Sequence, residues 1–312
     1  MDKIKHNFIQ VNGLKIHVAE IGSGTDRVVL FLHGFPEIWY SWRYQMVAVA
    51  NAGFRAIAPD YRGYGLSDLP PEPEKATFFD LFSDLPALLD ALSISRVYVV
   101  AKDFSVRIAH LFAILHPKRL AGIITFGIPV VPLNRPRLAE PLPGGVYTSR
   151  WMEPGRLEAD FARFDVKTVL RKIYILFSKT EIPTAADDQE VLDLVDSSAP
   201  LPSWFTEEDL QNYTALYEKS GFRTAAQVPY RSLNEKLPVT NQEVDAPALF
   251  IMCGKDFSLK FPGIGDYVRS GQAKNIVPNM ETAHLPEGSH FAEEQFPEET
   301  NQLIINFLKR HA

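Results

Sequence analysis

Three side chains have the types and the order that nucleophilic catalysis needs: Asp103, Asp256 and His290. Asp103 lies in Val99-Val100-Ala101-Lys102-Asp103-Phe104-Ser105, where a strand-like run passes abruptly into an apolar helix. Ala101 and Ser105 are small, so the two backbones can approach closely. The tip side chain then stands exposed above the sheet, as the serine does in a Gly-x-Ser-x-Gly elbow. The tip also lies at the carboxyl end of a strand, where open α/β sheets place their sites. A helix N-terminus at the same point favours an ionised carboxylate. The plain alternative is a helix N-cap, a position for which aspartate is preferred without any chemistry attached.

The choice of aspartate narrows the chemistry. A carboxylate with an unperturbed pKa of about 3.9 is charged at neutral pH and needs no base to activate it. Attack on a saturated carbon gives an ester, which activated water can cleave. A serine attacking the same carbon would leave an ether with no such exit. Displacement at an sp³ carbon, as in epoxide or alkyl halide hydrolysis, is therefore favoured over ordinary ester hydrolysis.

Chain order supports a complete set. In α/β-hydrolases the nucleophile comes first, then the acid, then the histidine. Asp256 follows a late strand in Met252-Cys253-Gly254-Lys255-Asp256, and Gly288-Ser289-His290-Phe291 precedes the last helix. His290 is the expected base, oriented by Asp256. The nearby His284 is read as structural. His33-Gly34-Phe35-Pro36 ends an early strand, so the backbone N–H groups of Phe35 and Phe104 are the expected oxyanion donors.

The elements needed to position these groups are legible. Val28–Leu32, Arg55–Pro59, Arg96–Val100, Leu120–Phe126 and Pro247–Met252 read as buried strands. Phe78, Leu81, Phe82, Leu85, Leu88, Leu89 and Leu92 form one face of a helix that Thr77 and Asp80 cap. Pro86 is expected to kink that helix or end its first half. Phe104 to Leu115 is apolar nearly all round, which predicts a buried helix. From Pro129 to about Leu237 prolines and aromatics abound, with a helix beginning at Phe205. A last helix follows Pro297. The expected fold is α/β, of α/β-hydrolase type: a mostly parallel sheet flanked by helices, with a helical cap inserted. Its parts are a core at 1–132, a cap at 133–240 and the rest of the core at 241–312.

Bulk properties exclude several classes. The 312 residues carry a net charge of −6, so neither nucleic acid nor an anionic membrane is an expected partner. Cys253 is the single cysteine. Met1 to His6 lack a signal-like apolar stretch, and Lys309-Arg310-His311-Ala312 is not a peroxisomal tail. A cytoplasmic location is the resulting expectation. No metal-binding spacing, phosphate loop or dinucleotide fingerprint occurs, so no cofactor is expected. Oligomeric state is not readable.

Jointly the motifs resemble those of the α/β-hydrolase-fold epoxide hydrolases, nearest to the plant soluble type. The resemblance covers essentially the whole chain. It rests on His33-Gly34-Phe35-Pro36-Glu37 with Trp39 and Ser41-Trp42-Arg43, and on Asp60-Tyr61-Arg62-Gly63-Tyr64-Gly65-Leu66-Ser67. Lys260-Phe261-Pro262-Gly263 and Gly288-Ser289-His290-Phe291 with Glu294-Gln295-Phe296-Pro297 complete it. It implies a small apolar epoxide as substrate, with Trp39 and Phe35 beside it. It also implies that Tyr147 and Tyr230 donate hydrogen bonds to the epoxide oxygen, because a phenol of pKa about 10 stays protonated at neutral pH. The elbow departs from the family's usual Gly-His-Asp-Trp-Gly: Lys102 replaces a histidine and Phe104 a tryptophan. Lys102 is expected to point behind the elbow and to need a partner. Three other readings share these parts: a haloalkane or haloacid dehalogenase, a non-catalytic ligand-binding protein, and an enzyme acting on a specialised metabolite. Phe104, which has no ring N–H for a departing halide, weighs against the first. The complete donor and nucleophile set weighs against the second.

Overall fold

The computed structural model of the protein describes residues 3–134 and 142–312. Among these, the central sheet has eight strands: β1 (Lys5–Val11), β2 (Leu14–Ile21), β3 (Val28–Leu32), β4 (Arg55–Pro59), β5 (Val97–Lys102), β6 (Leu120–Phe126), β7 (Ala248–Cys253) and β8 (Met280–Leu285). They lie in the order β1-β2-β4-β3-β5-β6-β7-β8. β1 pairs with β2, and β2 with β4, antiparallel; every other pairing is parallel. Every residue of β3 and β5 is buried, so the sheet needs cover on both faces, and helices supply it. Each fully buried Val, Leu, Ile or Phe contributes about 1.5–3 kcal/mol to that preference. The chain runs from β3 to β4 on one side and then to β5 on the other. The order therefore reverses at β3 and β5, and a crevice opens beyond their carboxyl ends.

Three strands escape the pattern of buried runs. β1 and β2 form a hairpin around Asn12-Gly13, both in the left-handed region at φ of 47° and 83°. Asn-Gly is the pair this turn favours, and it is the signal that marks the hairpin. β8 lies at the sheet edge with only Met280 and Leu285 buried, so its composition resembles a loop.

The helices before the excursion are α1 (Arg43–Asn51), α2 (Phe78–Ala91) and α3 (Ser105–Leu115). Thr77 and Asp80 form the expected capping box on α2. Of the two outcomes expected at Pro86, an end to the helix does not occur: α2 runs through it. Leu81, Phe82 and Leu85 on one side of the proline, and Leu88 and Leu89 on the other, are all buried in the core, and this packing outweighs the lost hydrogen bond.

Between β6 and β7 the chain leaves the sheet. It forms α4 (Tyr147–Met152), α5 (Arg156–Phe161), α6 (Val166–Phe177), α7 (Glu207–Ser220) and the short α8 (Arg223–Ala225). α7 begins two residues later than expected because Thr206, not a residue before Phe205, caps it with Asp209. After β7 come α9 (Ile264–Arg269), α10 (Ala292–Gln295) and α11 (Pro297–His311), the last opening on Pro297 as its position implies.

A buried polar knot fastens the excursion to the sheet-bearing part. The Arg43 guanidinium donates to Asp209 Oδ1 at 2.9 Å and to Glu294 of α10. Tyr40 Oη donates to Asp209 at 3.1 Å, and Tyr213 Oη to Glu294 Oε2 at 3.1 Å. Burial, opposed by Arg43 and reinforced by Glu293, pushes the Glu294 carboxyl up to about 7. Tyr64 Oη adds a bond to the Val228 carbonyl at 2.7 Å. Arg43→Met would strip the cation from two buried carboxylates, a loss worth about 3–5 kcal/mol. Urea denaturation should show that loss, whereas a change below about 1 kcal/mol would mean the carboxylates are neutralised without Arg43.

Candidate active site

Asp103 occupies the tip between β5 and α3 with φ of 51°, a left-handed conformation that a non-glycine residue adopts only under constraint. Its side chain is not spent on capping: Phe104 is the N-cap of α3, and no side-chain cap bond is made there. Instead Asp103 Oδ2 accepts from the Phe35 N–H at 3.0 Å. Ser105 does more than stay small. Its Oγ accepts from the Lys102 N–H at 3.0 Å and lies 2.9 Å from the Leu32 carbonyl, tying the elbow to β3.

Asp256 and His290 come together at the ends of β7 and of the loop before α10. His290 Nδ1 lies 3.1 Å from Asp256 Oδ1 and 3.3 Å from Oδ2. The Ser258 N–H also donates to Asp256 Oδ1, at 2.9 Å. Burial alone would raise the Asp256 pKa, but His290 and these hydrogen bonds outweigh it and hold the carboxyl below its usual value. Gly127, at φ of 69°, makes room for Asp256: a Cβ there would lie 2.2 Å from Oδ2. Nothing in the local sequence marks Gly127 for that task. His284 lies exposed on β8, away from Asp256.

Asp103 has a different balance. Burial raises its pKa, and His290, the Phe35 N–H and Lys102 offset that only in part. The helix N-terminus therefore does not set the direction that its position alone implies. The Phe35 and Phe104 rings flank the tip: Phe35 packs edge-on to Trp151 and Tyr230, and Phe104 packs against Tyr61, Tyr64 and Phe78.

Tyr147 and Tyr230 come from separate parts of the excursion, yet their ring centroids lie 6.1 Å apart in an edge-on arrangement. Trp151 binds the pair, 5.2 Å from Tyr147 and 5.1 Å from Tyr230. Burial, then Tyr147 and Asp103, push the Tyr230 phenol well above its usual pKa, so it remains a donor. Phe257 and Phe177 pack on His290 and on each other. Trp39, expected at the substrate, packs against His6, His17 and Tyr40. The indole in the Tyr147–Tyr230 cluster is that of Trp151, which sequence reasoning used only as a landmark.

Two of the motif segments act as supports. His33, buried and with its pKa lowered to about 4 by burial, lies 2.9 Å from the Gly34 carbonyl and accepts from the Tyr61 N–H at 3.2 Å. Asp60 accepts from the N–H groups of Trp39 and Leu66 and contacts His17 Nδ1 at 2.8 Å. Lys102 points behind the elbow, as expected, and is fully engaged there. Its ammonium donates to Glu37 Oε1, to Glu293 Oε1 at 2.8 Å and to the His290 carbonyl at 2.7 Å. Among the described residues no His, Cys, Asp and Glu cluster is arranged for a metal ion, and no helix is long and apolar enough to cross a membrane.

Fold and site together define an α/β hydrolase built around an aspartate. The family model for the alpha/beta hydrolase fold matches residues 27–260. "Epoxide hydrolase 2" of Siraitia grosvenorii is 36% identical, over 99% of this chain and 100% of its own length. An epoxide hydrolase structure from Vigna radiata superposes with a TM-score of 0.90 at 32% identity, covering 99% of both chains. Potato epoxide hydrolase I gives 0.87 at 32%, covering 99% of this chain and 100% of its own. The chain belongs to the α/β-hydrolase family and, within it, to the epoxide hydrolases of the plant type.

The raised pKa of Asp103 carries a sign. A buried carboxyl whose folded pKa exceeds its unfolded value of about 3.9 costs stability at neutral pH, and that cost vanishes as the pH falls below the unfolded value. Asp103→Asn should therefore raise the denaturation midpoint at pH 7, with the gain shrinking as the pH approaches 4. A lower midpoint at pH 7 would mean that the Phe35 N–H and His290 outweigh burial.

Proposed function

We propose that the protein hydrolyses small apolar epoxides to vicinal diols through a covalent ester on Asp103. The observation that carries this reading is that Asp103, unused as a cap, accepts from the Phe35 N–H while Tyr230 packs on the Phe35 ring and Tyr147 packs on Tyr230. In the first step an Asp103 oxygen attacks one epoxide carbon and the carbon–oxygen bond breaks. Tyr147 and Tyr230 bond to the departing oxygen, and one of them gives it a proton. In the second step His290, held by Asp256, takes a proton from water, and the resulting hydroxide attacks the ester carbonyl. The N–H groups of Phe35 and Phe104 stabilise the oxyanion. On collapse the expelled oxygen of the diol, which came from Asp103, takes the proton of the new carboxyl, His290 gives its proton back to the tyrosinate, and the restored Asp103 carboxylate keeps one oxygen from water. Residues 133–240 act as the cap that supplies both tyrosines. The apolar rings of Trp151, Phe177 and Phe257 favour an apolar substrate and exclude water from the alkylation step.

The test is a single turnover in ¹⁸O-water with enzyme in excess over an aryl or fatty-acid epoxide. Unlabelled first-cycle diol, with label in the peptide that holds Asp103, is the expected result. Label in that first diol would mean direct attack by water and would end the ester mechanism. Asp103→Ala should abolish turnover. His290→Gln should accumulate the ester after one cycle. Tyr147→Phe or Tyr230→Phe should each slow alkylation by about 100-fold, the low end for loss of a general-acid donor because the other phenol remains, and the double variant should nearly stop it.

A further inference from the structure

We propose that Lys102 is a positioning residue for the ester-cleaving half of the reaction: from behind the elbow, its ammonium ties the main chain of His290 and the carboxyl of Glu37 to the turn that carries Asp103. This assignment rests on the epoxide-hydrolase reading above. Lys102 is adjacent in the chain to the nucleophile, yet its side chain is buried on the far side of the turn. An ammonium has three hydrogens to donate. All three have acceptors: Glu37 Oε1, Glu293 Oε1 and the His290 carbonyl oxygen. Those acceptors belong to the segment after β3, to α10 and to the loop of the catalytic base. One cation therefore pins three separate pieces of chain to the elbow. The Phe291 ring closes the remaining side, with its centroid 4.9 Å from Nζ.

Glu37 links this anchor to the reacting groups. A Cβ added at Gly34 would meet Glu37 Oε2 at 2.4 Å and Asp103 Oδ2 at 2.9 Å, so both carboxylates crowd the same glycine. Glu37 Oε1 is taken by Lys102, while Oε2 is buried and has no hydrogen-bond partner among the described residues. Asp103 loses its charge when it is alkylated, but His290, whose carbonyl Lys102 holds, must still present its ring to the water that cleaves the ester. The demand on Lys102 thus falls on the second step. The first step draws on Asp103, the Phe35 N–H and the two tyrosines; the Lys102 ammonium hydrogen-bonds to none of these, and its charge supports Asp103 less than His290 and the Phe35 N–H do.

Step-resolved kinetics separate this role from a purely structural one. Lys102→Met keeps the length of the side chain and removes the charge. Intact-protein mass after rapid quenching reads the ester directly. Ester formation should stay within about threefold of the wild type, while ester cleavage slows by about 30-fold or more, so that the ester accumulates during turnover. Should Lys102→Met fail to fold, Lys102→Met with Glu293→Gln removes the cation together with one of its carboxylates, and the same split between steps is expected. A folded variant in which both steps slow by the same factor, or in which cleavage is unchanged, overturns the assignment alone. A wild-type enzyme that never forms the ester removes the underlying reading and this assignment with it.

Discussion

A carboxylate taken out of water must be supported by whatever surrounds it, and the burial of Asp103 imposes that demand on the whole elbow. Its tip is in a left-handed conformation, so the side chain turns away from the helix it could have capped. One backbone N–H, from Phe35, takes the place of lost water. The support is deliberately incomplete in electrostatic terms: burial still wins over His290 and the hydrogen bond. For the nucleophile proposed here, a carboxylate left under-solvated in this way keeps reactivity that a fully bonded one would lose. Asp256 shows the contrast. It is the more buried of the two, yet His290 and Ser258 satisfy it well enough to lower its pKa, as suits the orienting role proposed for it.

The surrounding architecture follows from keeping these two carboxylates close but unlike. β3, β5 and β7 each end at a member of the site, and the reversal of strand order opens the space between them. The excursion after β6 then closes that space from above. It is fastened by Arg43, whose guanidinium bridges a helix cap in α7 and a carboxyl in α10. The cap residue Asp209 thus has two jobs: one oxygen serves the start of α7, and the other serves the junction.

Chemistry was more legible in the chain than geometry. The placement of Asp103 at a strand–helix tip and the meeting of Asp256 with His290 could be read from residue type and order, because strand ends and small-residue turns mark where the chain reverses. The parallel strands were legible because buried strands are continuous apolar runs. β8 was not, since an edge strand with exposed alternate residues carries no such run. Tyr147 and Tyr230 came only from family resemblance; nothing local distinguishes a site tyrosine from a packing one. Trp39 and Trp151 show why. Both are buried indoles, and only the three-dimensional path of the chain puts Trp151 beside the tyrosines and Trp39 beside His17. Gly127 was illegible for a similar reason: its need for a bare backbone arises from Asp256, far away in sequence. The course of α2 through Pro86 reflects packing that local propensity does not contain.

The glycines around the site divide it into an incompressible floor and an adaptable roof. Gly34 and Gly127 each lie so close to a carboxylate that even one added methyl group would collide with it. The roof is different: Tyr147, Trp151, Phe177 and Phe257 meet ring against ring, through contacts that can slide or be exchanged for other apolar groups. Divergence in substrate shape therefore has only one direction open to it. The reacting machinery can drift very little without being lost, while the same catalytic floor can be refitted beneath successive ceilings.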